Sequence, residues 1–239
     1  MTALGPVTEL HRYPVKSVLG EAMDAVRVDA RGVEGDRVWA VYTDDGGIGS
    51  GKNSRRFRKV DGLLHLRATL GGHSPRVQLP DGSTLDAADP GAGGVLSAHL
   101  GRPVELRPEG EVPHHDDSPL HLVTTTGLRT LAAEVGHVPE VARFRPNLVV
   151  DTLAAGLDDG YPEDAWLGRR LAVGDEVVLT VDEPMPRCVM VDAEQRGLPG
   201  GGGVLKALGR VHDVDFGVQL SVVRGGTVRR GDTVRLLPA

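Results

Sequence analysis

The chain has 239 residues, of which 40% are hydrophobic and 25% charged, as in ordinary globular proteins. A net charge of −6 at pH 7 argues against binding to nucleic acid or anionic membranes. The single cysteine excludes an intrachain disulfide, a Cys-x-x-Cys redox pair and a four-cysteine iron–sulfur cluster. The sequence has neither an apolar run of about 18 residues nor a secretory signal, so we expect no membrane insertion and a cytoplasmic location.

Short runs of β-branched or alternating residues recur along the chain and predict strands. In the first half they are Val7–Val15, Met23–Val28, Arg37–Thr43, Leu63–Leu70, Arg76–Leu79 and Val104–Arg107. In the second half they are Leu120–Thr124, Asn147–Asp151, Glu176–Val181, Val189–Asp192, Gly217–Val223 and Thr233–Leu237. Many short strands separated by glycine-rich turns favour a barrel or sandwich over a wound parallel sheet.

Three short segments favour helices. The best of them is Gly127–Val135, whose apolar residues follow helical spacing, with Thr125 or Thr126 as the N-cap and Gly136 at the end. The two shorter segments are Gly94–His99 and Val204–Leu208. The predicted fold class is therefore mainly β with a few short helices.

A polar, proline-containing stretch at Pro108–Ser118 has no hydrophobic periodicity and marks the expected domain boundary. We therefore predict two domains, residues 1–110 and residues 111–239. The glycine-rich run Gly197–Gly203 is interpreted as a flexible surface loop.

Five positive charges fall within eight residues, at Lys52, Arg55, Arg56, Arg58 and Lys59. A solvated basic loop and an anion-facing edge explain this charge pattern equally well. The preceding run, Gly46–Asn53, resembles a phosphate-binding loop but carries Asn53 where a magnesium-binding Ser or Thr is needed, and no helical pattern follows. We interpret it as a hairpin turn that enters a basic strand.

Four neighbouring residues could ligate zinc or a harder cation: His114, His115, Asp116 and Asp117. Because they are adjacent in a predicted loop, few of them could converge on one ion. A solvated linker is the preferred interpretation.

The only cysteine, Cys188, follows two prolines and Arg187. The prolines restrict the backbone before the thiol, and Arg187 favours the thiolate, which binds metals or acts as a nucleophile. The apolar run Val189–Asp192 predicts a strand that would hold the sulfur rigidly. No His–Asp pair accompanies Cys188 in sequence, which favours a soft-metal ligand over a cysteine hydrolase, with a buried apolar role as the alternative.

Several motifs, in order and over nearly the whole chain, resemble those of the MOSC family, which is named after the C-terminal domain of molybdenum-cofactor sulfurase. The N-terminal β-barrel half of the family is matched by Tyr13–Ser17 and Gly32–Val41. The MOSC domain proper is matched by Arg143–Asp151, Pro186–Cys188, Val191–Asp192, Phe216–Gly217 and Gly226–Val234. Within the family, the chain is similar to the amidoxime-reducing members.

The resemblance implies a two-part β-barrel architecture that holds a molybdenum–molybdopterin cofactor between the halves. It implies that Cys188 is the sulfur ligand of the metal and the catalytic residue. Contacts to the pterin and its phosphate are implied at Lys16, Ser17, Arg37, Arg145, Asn147 and Arg187. Arginine matches phosphate oxygens, lysine supplies a point charge, and asparagine can pair with a heterocycle edge. The chain departs from these relatives at Gln219, where they commonly carry tyrosine, and over Gly51–Gly62.

The implied reaction is the removal of an oxygen atom from a small N-hydroxylated or N-oxide molecule. Since one cysteine cannot hold an iron–sulfur cluster, we expect a separate electron-donor protein or reductase as partner. Two other functions remain open: a cofactor carrier without catalysis, and a sulfur-transfer enzyme with a persulfide on Cys188.

Overall fold

The computed structural model describes residues 1–238, in which strands dominate and three α-helices occur. The strands of the first half are β1 (Thr2–Arg12), β2 (Glu21–Met23), β3 (Ala25–Asp29), β4 (Gly32–Val33), β5 (Trp39–Thr43), β6 (Ile48–Ser50), β7 (Phe57–Lys59), β8 (Arg67–Thr69), β9 (Arg76–Gln78), β10 (Thr84–Asp86) and β11 (Val104–Pro108). Those of the second half are β12 (Leu120–Thr124), β13 (Leu148–Val150), β14 (Arg170–Val173), β15 (Val177–Pro186), β16 (Asp215–Arg224), β17 (Gly226–Arg229) and β18 (Thr233–Leu236). The helices are α1 (Ala92–Leu100), α2 (Thr125–Val135) and α3 (Val204–Val211).

Seven strands close into a barrel in the order β13-β12-β16-β15-β14-β18-β1, and β1 pairs back onto β13. Every neighbouring pair is antiparallel except β12 and β13, which run parallel. The barrel encloses an apolar core that includes Leu10, Leu122, Val150, Leu179 and Leu220. Closure satisfies the backbone groups that an open sheet edge would leave unpaired. The predicted mainly β fold with a barrel architecture is confirmed.

The first strand joins the two ends of the chain. Although β1 opens the sequence, it lies between β18 and β13 in the barrel. In the same way, β3 pairs with β17. Strands β1 and β3, which precede Pro108–Ser118, therefore pair with strands that follow it. The domain boundary at this stretch stays a prediction.

The remainder of the first half forms two small sheets, with the orders β11-β5-β6-β7 and β10-β9-β8. They pack with α1 around a second core that includes Val15, Val41, Leu63, Leu66 and Leu96. After β6 the chain continues through an irregular segment into β7, which pairs parallel with β6. No helix follows the glycine-rich turn, as expected for a hairpin rather than a phosphate-binding loop.

The predicted helix at Gly127–Val135 is present but begins two residues earlier. Its N-cap is Thr124, whose side chain accepts a hydrogen bond from the amide of Gly127, rather than Thr125 or Thr126. Gly136 ends the helix in the left-handed conformation, as predicted.

The strand predicted at Val189–Asp192 is wrong, since these four residues form a 3-10 helix. The turn lets Asp192 cap α3, because its carboxylate accepts hydrogen bonds from the amides of Val204 at 2.8 Å and Leu205 at 3.0 Å. An extended run at this point would continue β15 past the barrel and carry Asp192 away from the helix.

No helix within residues 1–238 is long and apolar enough to cross a membrane.

Candidate functional site

One cavity lies where the N-terminal sheets meet the end of the barrel that carries Cys188. The sequence-predicted site residues all line this cavity, namely Lys16, Ser17, Arg37, Arg145, Asn147, Arg187 and Cys188. They come from the turn after β1, the turn before β5, the start of β13 and the end of β15. Residues up to 172 positions apart in the chain therefore line the same cavity. Their roles stay predictions.

Three of these residues have left-handed backbones although none is glycine. The φ angles are 61° at Ser17, 53° at Arg37 and 53° at Arg145. This conformation costs a non-glycine residue roughly 1–2 kcal/mol, and it persists where the surroundings determine it. The amide of Arg37 donates to the carbonyl of Tyr13 at 2.7 Å, which holds the Arg37 turn against the segment between β1 and Ser17. Backbone strain of this kind clusters at binding sites.

Two of the arginines share one aromatic ring. The guanidinium carbons of Arg37 and Arg145 lie 4.7 and 4.5 Å from the centroid of Tyr13. Burial lowers the pKa of Arg145 to about 10, with the charge of Arg37 as a second cause. Arg145 has no carboxylate partner among residues 1–238; Nη2 donates to the carbonyl of Val18 at 2.7 Å, and the buried Nη1 has no hydrogen-bond partner. A buried, unpaired guanidinium on a cavity wall favours an anionic ligand.

Lys16 is buried and its ammonium lies 2.9 Å from the carboxylate of Asp116. It also lies 4.6 Å from the centroid of Phe57. Burial lowers the pKa of Lys16 to about 8, while Asp116 opposes that decrease. The carboxylate therefore occupies the place where an anionic ligand would neutralise this charge.

Arg187 holds the cysteine segment in place. Its Nε donates to the carbonyl of Phe216 at 3.0 Å, its Nη1 donates to that of Phe144 at 3.0 Å, and its Nη2 contacts His121. The backbone amide of Arg187 donates to the carbonyl of Val214 at 2.8 Å. Burial is the main cause that lowers the pKa of Arg187 to about 9. These donors are already used within the protein, and their hydrogen bonds fix the backbone around Cys188. The predicted contact of Arg187 with the cofactor stays a prediction.

Asn147 is similarly engaged by the protein. Its Nδ2 donates to the carbonyl of His11 at 3.2 Å, and its Oδ1 accepts from the amide of His121 at 3.3 Å and from Arg37 at 3.4 Å. The side chain ties β1, β12 and the Arg37 turn together at the cavity wall. It organises the site whether or not it touches a ligand.

The solvated-linker interpretation of His114–Asp117 is wrong for its histidines, which are 0% and 9% exposed. His114 contacts the hydroxyl of Tyr42 at 2.9 Å, and His115 lines the cavity with both aspartates. Burial lowers the pKa of His115 to about 4, so its ring is neutral at pH 7. The two adjacent histidines in this polar stretch were the sequence signal that could have indicated a buried segment at the cavity. Among the described residues, no three His, Cys, Asp or Glu side chains are grouped to hold a metal ion.

Two further residues that line the cavity, His121 and Arg143, were not named as site candidates from the sequence. Lys52 also lines it, and it belongs to the basic run for which an anion-facing edge was one of the two interpretations. His121 is the polar residue in the apolar run Leu120–Thr124, and burial holds its pKa well below the ordinary value. Arg143 is buried and donates to the carbonyl of Pro199 at 2.7 Å, which fixes the loop after the cysteine helix. Gln219, in contrast, is not on the wall, and its amide donates to the carbonyl of Pro184 at 3.0 Å.

The charges of the cavity suit an anionic, phosphate-bearing group with a soft metal. Six cationic side chains and two carboxylates line it. Lys16, Arg37 and Arg143 have carboxylate partners, whereas Lys52, Arg145 and Arg187 have none in the part of the chain that the structure describes. Cys188 is half-buried on the same wall and is the chain's one soft thiolate ligand. The residues present therefore fit such a group.

Comparison with known proteins agrees with the fold and the motifs. The MOSC domain model matches residues 109–235, and the MOSC N-terminal beta barrel domain model matches residues 4–88. Mitochondrial amidoxime-reducing component 1 of Homo sapiens is 23% identical, with 98% of this chain and 83% of the relative covered. Mitochondrial amidoxime reducing component 2 of Bos taurus is 25% identical, with 97% and 83% covered.

The crystal structure of the YUAD protein from Bacillus subtilis has a similar fold, with a TM-score of 0.52 at 15% identity. The likeness covers 96% of this chain and 93% of that one. The MOSC domain match alone spans more than half of the sequence, and the two matches follow each other in chain order. This chain therefore belongs to the MOSC family.

Proposed function

We propose that this protein binds a molybdenum–molybdopterin cofactor in the cavity and reduces small N-hydroxylated or N-oxide compounds. The observation that carries the proposal is that Cys188 shares one cavity with cations that lack carboxylate partners. The names of the two curated relatives, which describe amidoxime reduction, support the choice of substrate. When bound, the cofactor would supply two-electron redox chemistry at its metal.

The chain's own residues would divide the work of binding. Cys188 would be the metal's thiolate ligand, held by the hydrogen bonds of Arg187 to Phe144 and Phe216. Arg145 would contact the phosphate through its unpartnered Nη1, and Arg37 would add charge next to it. Removal of one oxygen consumes two electrons and two protons and releases water.

Lys16, Ser17 and Asn147 would shape the pterin-facing wall. The left-handed backbone at Ser17 would face the pterin beside Lys16. The pKa of Lys16 is about 8, so its ammonium is charged below that pH. Asn147 would keep the Arg37 turn in register with the barrel. An electron donor would come from a separate protein.

The first test is metal analysis of protein purified from a host that makes the cofactor. We expect molybdenum near one equivalent, and retention should be weaker in Arg145→Ala, where loss of a charge-assisted contact costs roughly 1.5–3 kcal/mol. Arg37→Ala should act in the same direction, but it leaves the buried Asp36 without its partner, so its thermal unfolding must be measured alongside. Arg224→Ala, at the far end of β16, is the matched control and should retain metal like the wild type.

The second test is catalytic. Chemically reduced, molybdenum-loaded protein should convert a benzamidoxime-like compound to the amidine, and Cys188→Ala should not. A loaded protein that reduces no N-oxygenated compound would indicate a carrier. A persulfide on Cys188 without stoichiometric molybdenum would indicate sulfur transfer.

A further inference from the structure

The basic edge, residues 52–59, borders the cavity on its solvent side. Lys52 lines the cavity itself. Arg56 donates hydrogen bonds to the carbonyls of Pro113 and His115, so the edge is attached to residues 113–117, which form one side of the cavity. Phe57 is buried beneath it and packs against the ammonium of Lys16. The edge is therefore part of the cavity's rim and not a remote loop.

The two residues that precede the basic edge, Ser50 and Gly51, contact the segment that carries the cysteine. The hydroxyl of Ser50 lies 3.6 Å from the sulfur of Met190. A Cβ at Gly51 would lie in van der Waals contact with Met190, 3.4 Å from its Cε. Between Met190 and Cys188 stands Val189, which is 60% exposed. A protein seated on the basic edge would thus reach the surface directly beside Cys188.

The charges of the edge are only partly neutralised. Arg58 pairs with Asp45, and Lys59 pairs with Asp61 at 3.1 Å. Lys52, Arg55 and Arg56 have no carboxylate partner within residues 1–238. Arg55 is exposed to solvent. Three uncompensated positive charges therefore stand at the rim of a molecule whose net charge is −6.

We propose that the basic edge is the docking surface for an acidic electron-carrier protein that reduces the site. This rests on the proposed function, because reduction of an N–O bond needs two electrons that this chain cannot store in a relay of its own. The single cysteine and the lack of grouped metal ligands among the described residues leave an external carrier as the source. The carrier is oxidised as the N–O compound takes up two electrons and two protons to give the reduced nitrogen compound and water. A negative surface around the carrier's redox group complements the edge and steers the encounter.

The test uses purified holoprotein and flavodoxin, an acidic flavoprotein, as the probe. Arg55→Glu reverses an exposed charge that touches neither the cavity nor the barrel. The control Arg224→Glu makes the same change in net charge far from the cavity. Arg224 lies about 26 Å along β16 from Phe216, which is at the end of the strand next to Arg187. Three rates are measured for each protein: turnover with a chemical reductant, reduction by flavodoxin at low salt, and reduction by flavodoxin at high salt.

We expect equal turnover with the chemical reductant in all three proteins. At low salt, Arg55→Glu should slow reduction by flavodoxin roughly tenfold while Arg224→Glu does not, and high salt should abolish the difference. Equal rates for Arg55→Glu and wild type, or equal slowing in both variants, would overturn the docking surface while leaving the proposed function intact.

Binding of oxidised flavodoxin, followed by fluorescence anisotropy, separates the two proposals. Binding that depends on Arg55 would support the docking surface. If the same protein, purified from a host that makes the cofactor, holds no molybdenum, that second result would count against the proposed function alone. Arg55-dependent binding to phosphatidylglycerol vesicles with no binding to flavodoxin would overturn the docking surface in favour of a membrane contact.

Discussion

The ammonium of Lys16 donates a hydrogen bond to the carboxylate of Asp116 at 2.9 Å, although the two residues are 100 positions apart. Lys16 is buried and Asp116 is about half exposed, so the pair joins the interior of the cavity to its mouth. Buried cations need a partner, and here the protein supplies one in the space that suits an anion. Together with the hydrogen bonds of Arg56 and of His114, the pair attaches residues 113–116 to the first half of the chain.

Asp116→Asn should lower the pKa of Lys16 further below about 8, because the carboxylate raises that pKa against burial. NMR titration of the Lys16 side chain measures it. A lowered lysine pKa destabilises the fold while the amine is charged, so the variant should be less stable than wild type at pH 7. That difference should shrink as the pH rises through 8. Asp117→Asn, on the same cavity wall but without an ion pair in the described chain, should leave the Lys16 titration unchanged.

Arg187→Lys should destabilise the protein and loosen the cysteine segment. A lysine cannot reproduce the fork that serves Phe144, Phe216 and His121, and each lost charge-assisted bond costs about 1.5–3 kcal/mol. Urea unfolding gives the loss of stability, and the rate of Cys188 modification by a thiol reagent should increase. A variant with wild-type stability and thiol reactivity would show that Arg187 does not position the cysteine.

Glu163→Gln should stabilise the protein at alkaline pH. Glu163 is fully buried, which raises its pKa from 4.5 to about 7, while the hydrogen bond from Thr124 opposes that increase. Because its pKa is raised in the folded protein, Glu163 binds a proton more tightly there than in the unfolded chain. The contribution of Glu163 to wild-type stability therefore decreases as the pH rises from about 4.5 to 7. The variant should match wild type near pH 4 and exceed it by about 3 kcal/mol above pH 8.

Denaturant unfolding at several pH values checks this expectation. The exposed Glu183→Gln serves as control and should follow the wild-type pH profile. A constant difference between Glu163→Gln and wild type at every pH would contradict the assignment to Glu163.

Gly217→Ala should be far more costly than Gly231→Ala. Both glycines have left-handed backbones, with φ of 74° and 89°. A Cβ at 217 would lie 2.4 Å from the carbonyl of Leu122, whereas nothing lies within 4 Å at 231. We expect roughly 1–2 kcal/mol for Gly231→Ala and more than about 3 kcal/mol for Gly217→Ala, measured by urea unfolding. Equal losses would mean that the backbone conformation alone accounts for the glycine.

The barrel class could be predicted from sequence, because strand alternation and turn chemistry are local properties. The closure of that barrel by β1 could not, since it depends on which distant strand offers a free edge. The same limit explains the helix that begins at Thr125. Spacing predicted α2, but choosing Thr124 as the N-cap requires knowing where β12 ends.

For the site, the sequence by itself determined which residue types were available: one thiolate, a set of arginines and lysines, and ordered motifs that match the MOSC family. Only the tertiary structure decided what each one contacts. Folding gave Arg187 and Asn147 partners within the protein, left Arg145 Nη1 without one, and buried His115 in the wall. The physical reason is that hydrogen-bond partners, burial and hence pKa values arise from groups far apart in the chain, which no local pattern specifies.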